Sequence, residues 1–244
     1  MASPQRIALV TGGSRRVGRA IVRRLAEAGF DIAFTFRNSR SEAAALENEL
    51  AARGRTACAI GCDLADLPGA IDQIEQKFRS AFARLDLLVN NASLYEPGDP
   101  AAADLGFFRK LMTVNAEAPL LLCQRFADDL RGANGHIVNM IDLLAERPWP
   151  SYLAYCASKA ALANLTLSLA RELAPQVTVN GIAPGVVDWP SGFPESEKEK
   201  YLKRVPLGRA GTPGDVAETV LYLCTGGKYV TGQIIRLDGG RSIS

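Results

Sequence analysis

Tyr155 and Lys159, in the run Tyr155-Cys-Ala-Ser-Lys159, are the residues best suited to do chemistry in this chain. Side chains four apart share one face of a helix, so the ammonium lies near the phenol. A free phenol has a pKa of about 10 and is a weak acid–base catalyst at neutral pH. A cation about 4 Å away, at an effective dielectric near 20, favours the phenolate by roughly a few kcal/mol. The spacing therefore predicts a Tyr155 moved toward the operating pH, where proton transfer works best. A Tyr–Lys pair alone is common on helix surfaces. It gains weight from Thr11-Gly-Gly-Ser-Arg-Arg-Val-Gly18, a turn between an N-terminal strand and a helix. Glycine there lets backbone approach a pyrophosphate, and the helix N-terminal amides face the anion.

Further candidates follow the other strands. Strand two ends in Phe36-Arg37-Asn38-Ser39. An acidic residue at that place would hold a ribose 2′-hydroxyl, whereas a basic one accommodates a 2′-phosphate. Arg37 and Ser39, with Ser14 and Arg15, predict a positive, donor-rich pocket suited to a 2′-phosphate. Asp63 and Leu64 follow strand three, where Asp63 either accepts from an adenine amino group or caps a helix. Asn91, Ala92 and Ser93 follow strand four and can close a nucleotide pocket. Pro184, Gly185 and Val187 follow strand six. Asn115 sits in mid-helix, where an amide is mildly unfavourable and hints at a kink or a bound water.

The elements that must position these residues alternate. Apolar strands are read at Arg6–Val10, Asp31–Phe36, Thr56–Ile60, Asp86–Val89, His136–Ile141, Val177–Ile182 and Gln233–Leu237. Helical periodicity lies between them, including one long helix over Leu105–Leu130 and the active helix over Tyr152–Leu173. The stretch after Val187 reads as irregular to about Pro206. Strands separated by helices imply an α/β Rossmann-type fold: a doubly wound parallel sheet of about seven strands with helices on both faces. In such sheets ligands bind beyond the strand C-termini, where all of these candidates fall.

Composition sets outer bounds. The 244 residues suit one domain over 1–244, with a substrate loop at about 186–206, and 48% apolar content supports a large core. A net charge of +2 gives no polyelectrolyte signal for nucleic acid. No run reaches the roughly 18 apolar residues of a membrane span. Met1–Arg6 carries no signal-peptide pattern, and the five cysteines (Cys58, Cys62, Cys123, Cys156, Cys224) read as free thiols, so a cytoplasmic location is expected. With His136 as the sole histidine, no His-dependent triad or histidine metal cluster can be built, and no metal is expected.

Taken together, the glycine turn, Asn90-Asn-Ala92, Tyr155-x3-Lys159, Asn180-x3-Pro-Gly185 and Thr231-Gly-Gln…Asp-Gly-Gly240 resemble the short-chain dehydrogenase/reductase family over essentially the whole chain. The resemblance implies a nicotinamide cofactor, usually a homotetramer, and residue roles. Tyr155 is the implied proton donor, Lys159 binds the nicotinamide ribose and tunes Tyr155, and Asn115 holds a water. Two positions depart from the family pattern. Arg16 stands where the turn has its middle glycine, and Asp142 stands where a serine is usual, thirteen residues before the tyrosine. Both are similar to the pteridine reductase branch, as are Asn91-Ala-Ser93 with Tyr95 and the string Val138-Asn-Met-Ile-Asp142. That branch implies a pterin ring lying between nicotinamide and Tyr95, with Arg16 and Ser93 at its polar edges and Asp142 holding Tyr155.

Three functions compete on this reading. The first is an NADPH-dependent reductase of dihydropterin- or dihydrofolate-like C=N bonds. The second is a reductase of ketones or 3-oxoacyl thioesters, against which Asp142 and Arg16 argue. The third is a low-turnover cofactor-binding protein, against which Tyr155, Lys159 and Asn115 argue. Trp189 and Phe193 are read either as lid contacts or as apolar loop anchors.

Overall fold

The computed structural model describes residues 5–99, 104–189 and 192–244. Met1–Pro4 and two residues of the expected substrate loop, 190 and 191, lie outside them. Seven strands form one parallel sheet: β1 (Ile7–Val10), β2 (Asp31–Phe36), β3 (Ala57–Gly61), β4 (Leu87–Asn90), β5 (His136–Met140), β6 (Thr178–Pro184) and β7 (Ile234–Leu237). Their order is β3-β2-β1-β4-β5-β6-β7, so the sheet switches direction between β1 and β4. This is the Rossmann-type α/β architecture expected from the alternation.

Strands buried on both faces explain the continuous apolar runs. Side chains alternate between two cores. Ile7, Leu9 and Leu88 face α3 (Gly69–Ala81) and α5 (Ala118–Arg125) through Ile74, Phe78 and Leu122. Ala8, Val10 and Val89 face α1 (Arg16–Glu27), α2 (Arg40–Ala52) and α9 (Pro213–Thr225) through Ile21, Leu46 and Val220. A one-residue slip would exchange the two sets, so the pattern also fixes the register.

Two elements differ from the sequence reading. The long helix expected over Leu105–Leu130 is broken into α4 (Leu105–Met112), a π-helical turn at Thr113–Glu117, α5, and α6 (Ala127–Ala133). Pro119 has no N–H to give the Asn115 carbonyl four residues earlier. The ladder widens there, and Ala118 N donates to Thr113 O five residues back. The irregularity hinted at by Asn115 is a π-helical turn. The stretch read as irregular contains α8 (Glu195–Leu202), which buries no residue and carries Glu195–Lys198 and Glu197–Lys200 ion pairs. A helix without an apolar stripe leaves no periodicity to detect. The active helix, α7 (Leu153–Glu172), lies where the sequence placed it.

Candidate active site

A cleft of about 590 Å³ opens beyond the C-terminal ends of the strands. Its floor is the glycine turn. Gly12 has φ +65°, and a Cβ on Gly18 would lie 2.1 Å from the Gly12 carbonyl oxygen, so glycine is required there. Asn91 fastens this turn, its Nδ2 donating to Thr11 O (2.9 Å) and Gly12 O (3.2 Å). Both Nδ2 hydrogens are therefore spent on positioning the turn, while Asn91 still lines the cleft. Arg16 adopts φ +49°, the left-handed region that glycine enters without cost and other residues enter at about 1 kcal/mol or more. Its guanidinium is held by Asp188, Nε to Oδ2 at 2.5 Å, across to the segment after β6. Arg16 thus lines the cleft while tying the turn to the segment expected as the substrate loop.

The phosphate end fits a dinucleotide. The first turn of α1 has no capping side chain and no acidic residue, so its amides are open to an anion. Arg15, Arg37 and Asn38 are exposed on the cleft wall, and Arg37 makes no ion pair among the described residues. Ser14 and Ser39 meet at 2.6 Å between hydroxyls. Val17, Leu64, Ala92, Ser93, Pro184, Gly185 and Val187 line the same cleft. Asp63 also lines it, with Oδ1 accepting from Ala65 N, so its side chain shapes the local turn while facing the pocket.

At the opposite end Tyr155 is 4% exposed, and its hydroxyl donates to Asp142 Oδ2 at 2.7 Å. Asp142 Oδ1 accepts from Leu144 N, which fixes the carboxylate. Burial and then the Asp142 charge push the Tyr155 phenol well above its ordinary value. This reverses the sequence expectation. The Lys159 ammonium is fully buried, donates to Met140 O at 2.7 Å, and lies 5.8 Å from the centre of the Tyr155 ring. Burial pushes Lys159 down to about 8 while Asp142 pulls it up. Burial likewise raises Asp142 itself. One carboxylate thus couples the phenol and the ammonium.

Lys159 and Asn115 sit behind the cleft wall rather than on it. Asn115 is wholly buried, and its side chain uses both ends on protein. Oδ1 accepts from Leu94 N and Ser93 Oγ, while Nδ2 donates to Leu94 O and Ser158 Oγ. The side chain itself has no capacity left for the water expected of it. Tyr95 is 45% exposed, stacked on Tyr152 at 4.6 Å and edge-on to Tyr155 at 4.8 Å. One face of its ring is taken by Tyr152, and the residue lines the cleft.

Several cleft residues went unnoticed in the sequence. Arg147, Trp149, Tyr201 and Arg241 line the cleft from four separate places. No local spacing announces them, because only the fold brings them together. Trp189 stacks on Phe193 at 5.0 Å and meets Tyr201 edge-on at 5.5 Å, so these aromatics roof the cleft and anchor one another. His136 is used structurally, Nδ1 to Thr178 Oγ1 at 2.8 Å.

Comparison with known proteins agrees with this geometry. A family model described as enoyl-(acyl carrier protein) reductase matches residues 12–242. The chain is 34% identical over 238 residues to the 3-oxoacyl-[acyl-carrier-protein] reductase FabG of Staphylococcus aureus, covering 96% of each chain. Among solved structures, a blue fluorescent protein from a metagenomic library, in complex with NADPH, superposes with a TM-score of 0.90 at 37% identity, covering 97% of this chain and 98% of that one. Acetoin dehydrogenase from Enterobacter cloacae superposes with a TM-score of 0.90 at 33% identity, covering 99% and 97%. With a matched model, relatives and sheet all spanning nearly its whole length, this chain is an oxidoreductase that belongs to the short-chain dehydrogenase/reductase family.

Proposed function

We propose that this chain is an NADPH-dependent reductase of a flat, pterin-like ring, acting at a C=N bond, and that it assembles as a homotetramer. The contact that carries the reading is Tyr155 OH to Asp142 Oδ2 at 2.7 Å. A site for ketones gains from a neutral hydroxyl beside the tyrosine, because that group donates to the carbonyl oxygen as it becomes an alkoxide. A carboxylate at this position cannot donate and repels a developing alkoxide. It can instead hold the phenol, and its protonated form, which burial favours, can return the proton that the phenol gives to a ring nitrogen. Bound NADPH supplies the hydride to the ring carbon. Tyr155 delivers the proton to the adjacent nitrogen, which completes the reduced C–N bond. Lys159 holds the charge balance behind it. Arg15, Arg37, Ser14 and Ser39 hold the phosphates, and Tyr95 supports the ring.

The relatives favour a second reading, since their names speak of 3-oxoacyl thioesters and of acetoin. A panel of NADPH oxidation assays with dihydropterins, dihydrofolate, ketones and acetoacetyl thioesters separates the two. The pterin reading expects turnover on the first two and binding of a diaminopteridine antifolate to the NADPH complex, weakened about tenfold by Tyr95→Ala. Efficient ketone or thioester reduction without antifolate binding would establish the second reading instead.

A further inference from the structure

The cleft contains a cation that none of its carboxylates balances. Arg16 is paired with Asp188, and Asp142 is committed to Tyr155 and Leu144. Arg241 reaches the cleft from the C-terminal turn at Arg241–Ile243 and makes no ion pair or side-chain hydrogen bond among the described residues. Its Nε is buried without a partner. Its guanidinium lies 5.6 Å from the centre of the Tyr201 ring, whose hydroxyl accepts from Val186 N at 3.1 Å. Tyr201 also meets Trp189 edge-on at 5.5 Å, so Arg241 stands beside the aromatics that roof the cleft.

A guanidinium can only donate, and it does not lose its proton in a protein. A buried N–H left without an acceptor is costly and calls for a partner. Cation–π contact with Tyr201 holds the planar fork in place before any ligand arrives.

We propose that Arg241 determines substrate specificity, its unpaired guanidinium, which lines the cleft, donating to an oxo oxygen on the substrate ring. This rests on the pterin-like reading and deepens it, because the ring must then present an acceptor to Arg241. A ring with an amino group at that place offers a donor to a donor and is held less well.

The test compares a 2-amino-4-oxopteridine with a 2,4-diaminopteridine, each titrated calorimetrically into the NADPH complex of wild type and of Arg241→Met. Cofactor titration and thermal melting check that the variant is folded, and Arg241→Gln serves as a second variant. Arg241→Met is expected to weaken the oxo ligand about tenfold or more while the diamino ligand stays within about threefold. In steady state the loss falls on KM for an oxo-substituted dihydropterin rather than on kcat. Equal losses for both ligands would assign Arg241 a structural role through Tyr201, and no loss for either would remove it from recognition. Failure of the pterin reading itself looks different: wild type would then bind neither ligand.

Discussion

Asp142 gives the chemistry its direction. Without it, Tyr155 and Lys159 would form a phenol tuned by a nearby ammonium, the arrangement their spacing suggests. In the folded chain the phenol donates a hydrogen bond to a carboxylate, and the ammonium turns to a main-chain carbonyl. The pH dependence follows from Lys159, whose pKa is lowered to about 8 from 10.5. Its charged form exists below that value, so kcat/KM is expected to fall as pH rises through about 8. Asp142 is the charge that supports this ammonium. Asp142→Asn therefore lowers the Lys159 value further, and the falling limb should move to lower pH. A limb that stays in place would separate Lys159 from Asp142. Tyr155→Phe should abolish turnover while NADPH titration stays within about twofold of wild type; near-normal kcat would end the assignment of Tyr155 as proton donor. Arg37 is exposed and unpaired by any carboxylate of the described chain. A charge-assisted bond to a 2′-phosphate is worth about 1.5–3 kcal/mol, or roughly ten- to a hundredfold. Wild type should thus prefer NADPH over NADH in kcat/KM by that factor, and Arg37→Asp should lose the preference. Equal efficiencies in wild type would refute it.

At the scale of elements, the first strand–turn–helix unit is the least forgiving part of the site. Gly18 packs against the Gly12 carbonyl and Asn91 Nδ2, and Asn91 in turn ties the turn to the end of β4. Gly18→Ala forces these groups apart. It is expected to cost about 1–3 kcal/mol of stability through overpacking and to abolish NADPH binding. Thermal melting and cofactor fluorescence read the two effects separately, and a variant that still binds NADPH normally would show that the turn yields elsewhere. The broken helix after α4 works in the opposite sense. Its π-helical turn swings Asn115 under Leu94 and Ser158, so the floor of the substrate end is built by a defect in a regular helix. Such turns recur at functional sites because they redirect side chains without ending the helix.

Across the whole molecule, large apolar side chains stay exposed on the helices beside the active site: Leu105 at 64%, Leu153 at 65% and Leu167 at 43%. Covering them is consistent with the proposed tetramer. Light scattering is expected to give four copies of the 26.1 kDa chain. A monomeric mass across the working concentration range would rule the tetramer out. No helix among the described residues is long and apolar enough to cross a membrane. The thiols stand apart from the chemistry. Cys62 is raised to about 11, and Cys123 and Cys224 to about 12, all chiefly by burial, so they stay protonated at neutral pH.

The sequence alone determined the sheet, the turn and the identity of most cleft residues, because these depend on local properties. Apolar runs fix strands, 3.6-residue periodicity fixes helices, and glycine marks places where backbone must pass close to backbone. From Gly12 to Val187, residues chosen by position after a strand do line one cleft. Only the tertiary structure decided how their charges act. Whether Lys159 or Asp142 governs the Tyr155 phenol depends on distances between β5, its following turn and α7, which no spacing encodes. Helix α8 was hidden because nothing of it is buried, and Arg241 because the C-terminal turn meets the cleft only after β7 has joined the sheet. Burial and charge neighbours are properties of the assembled chain, and here they set the direction of every pKa that matters to the reaction.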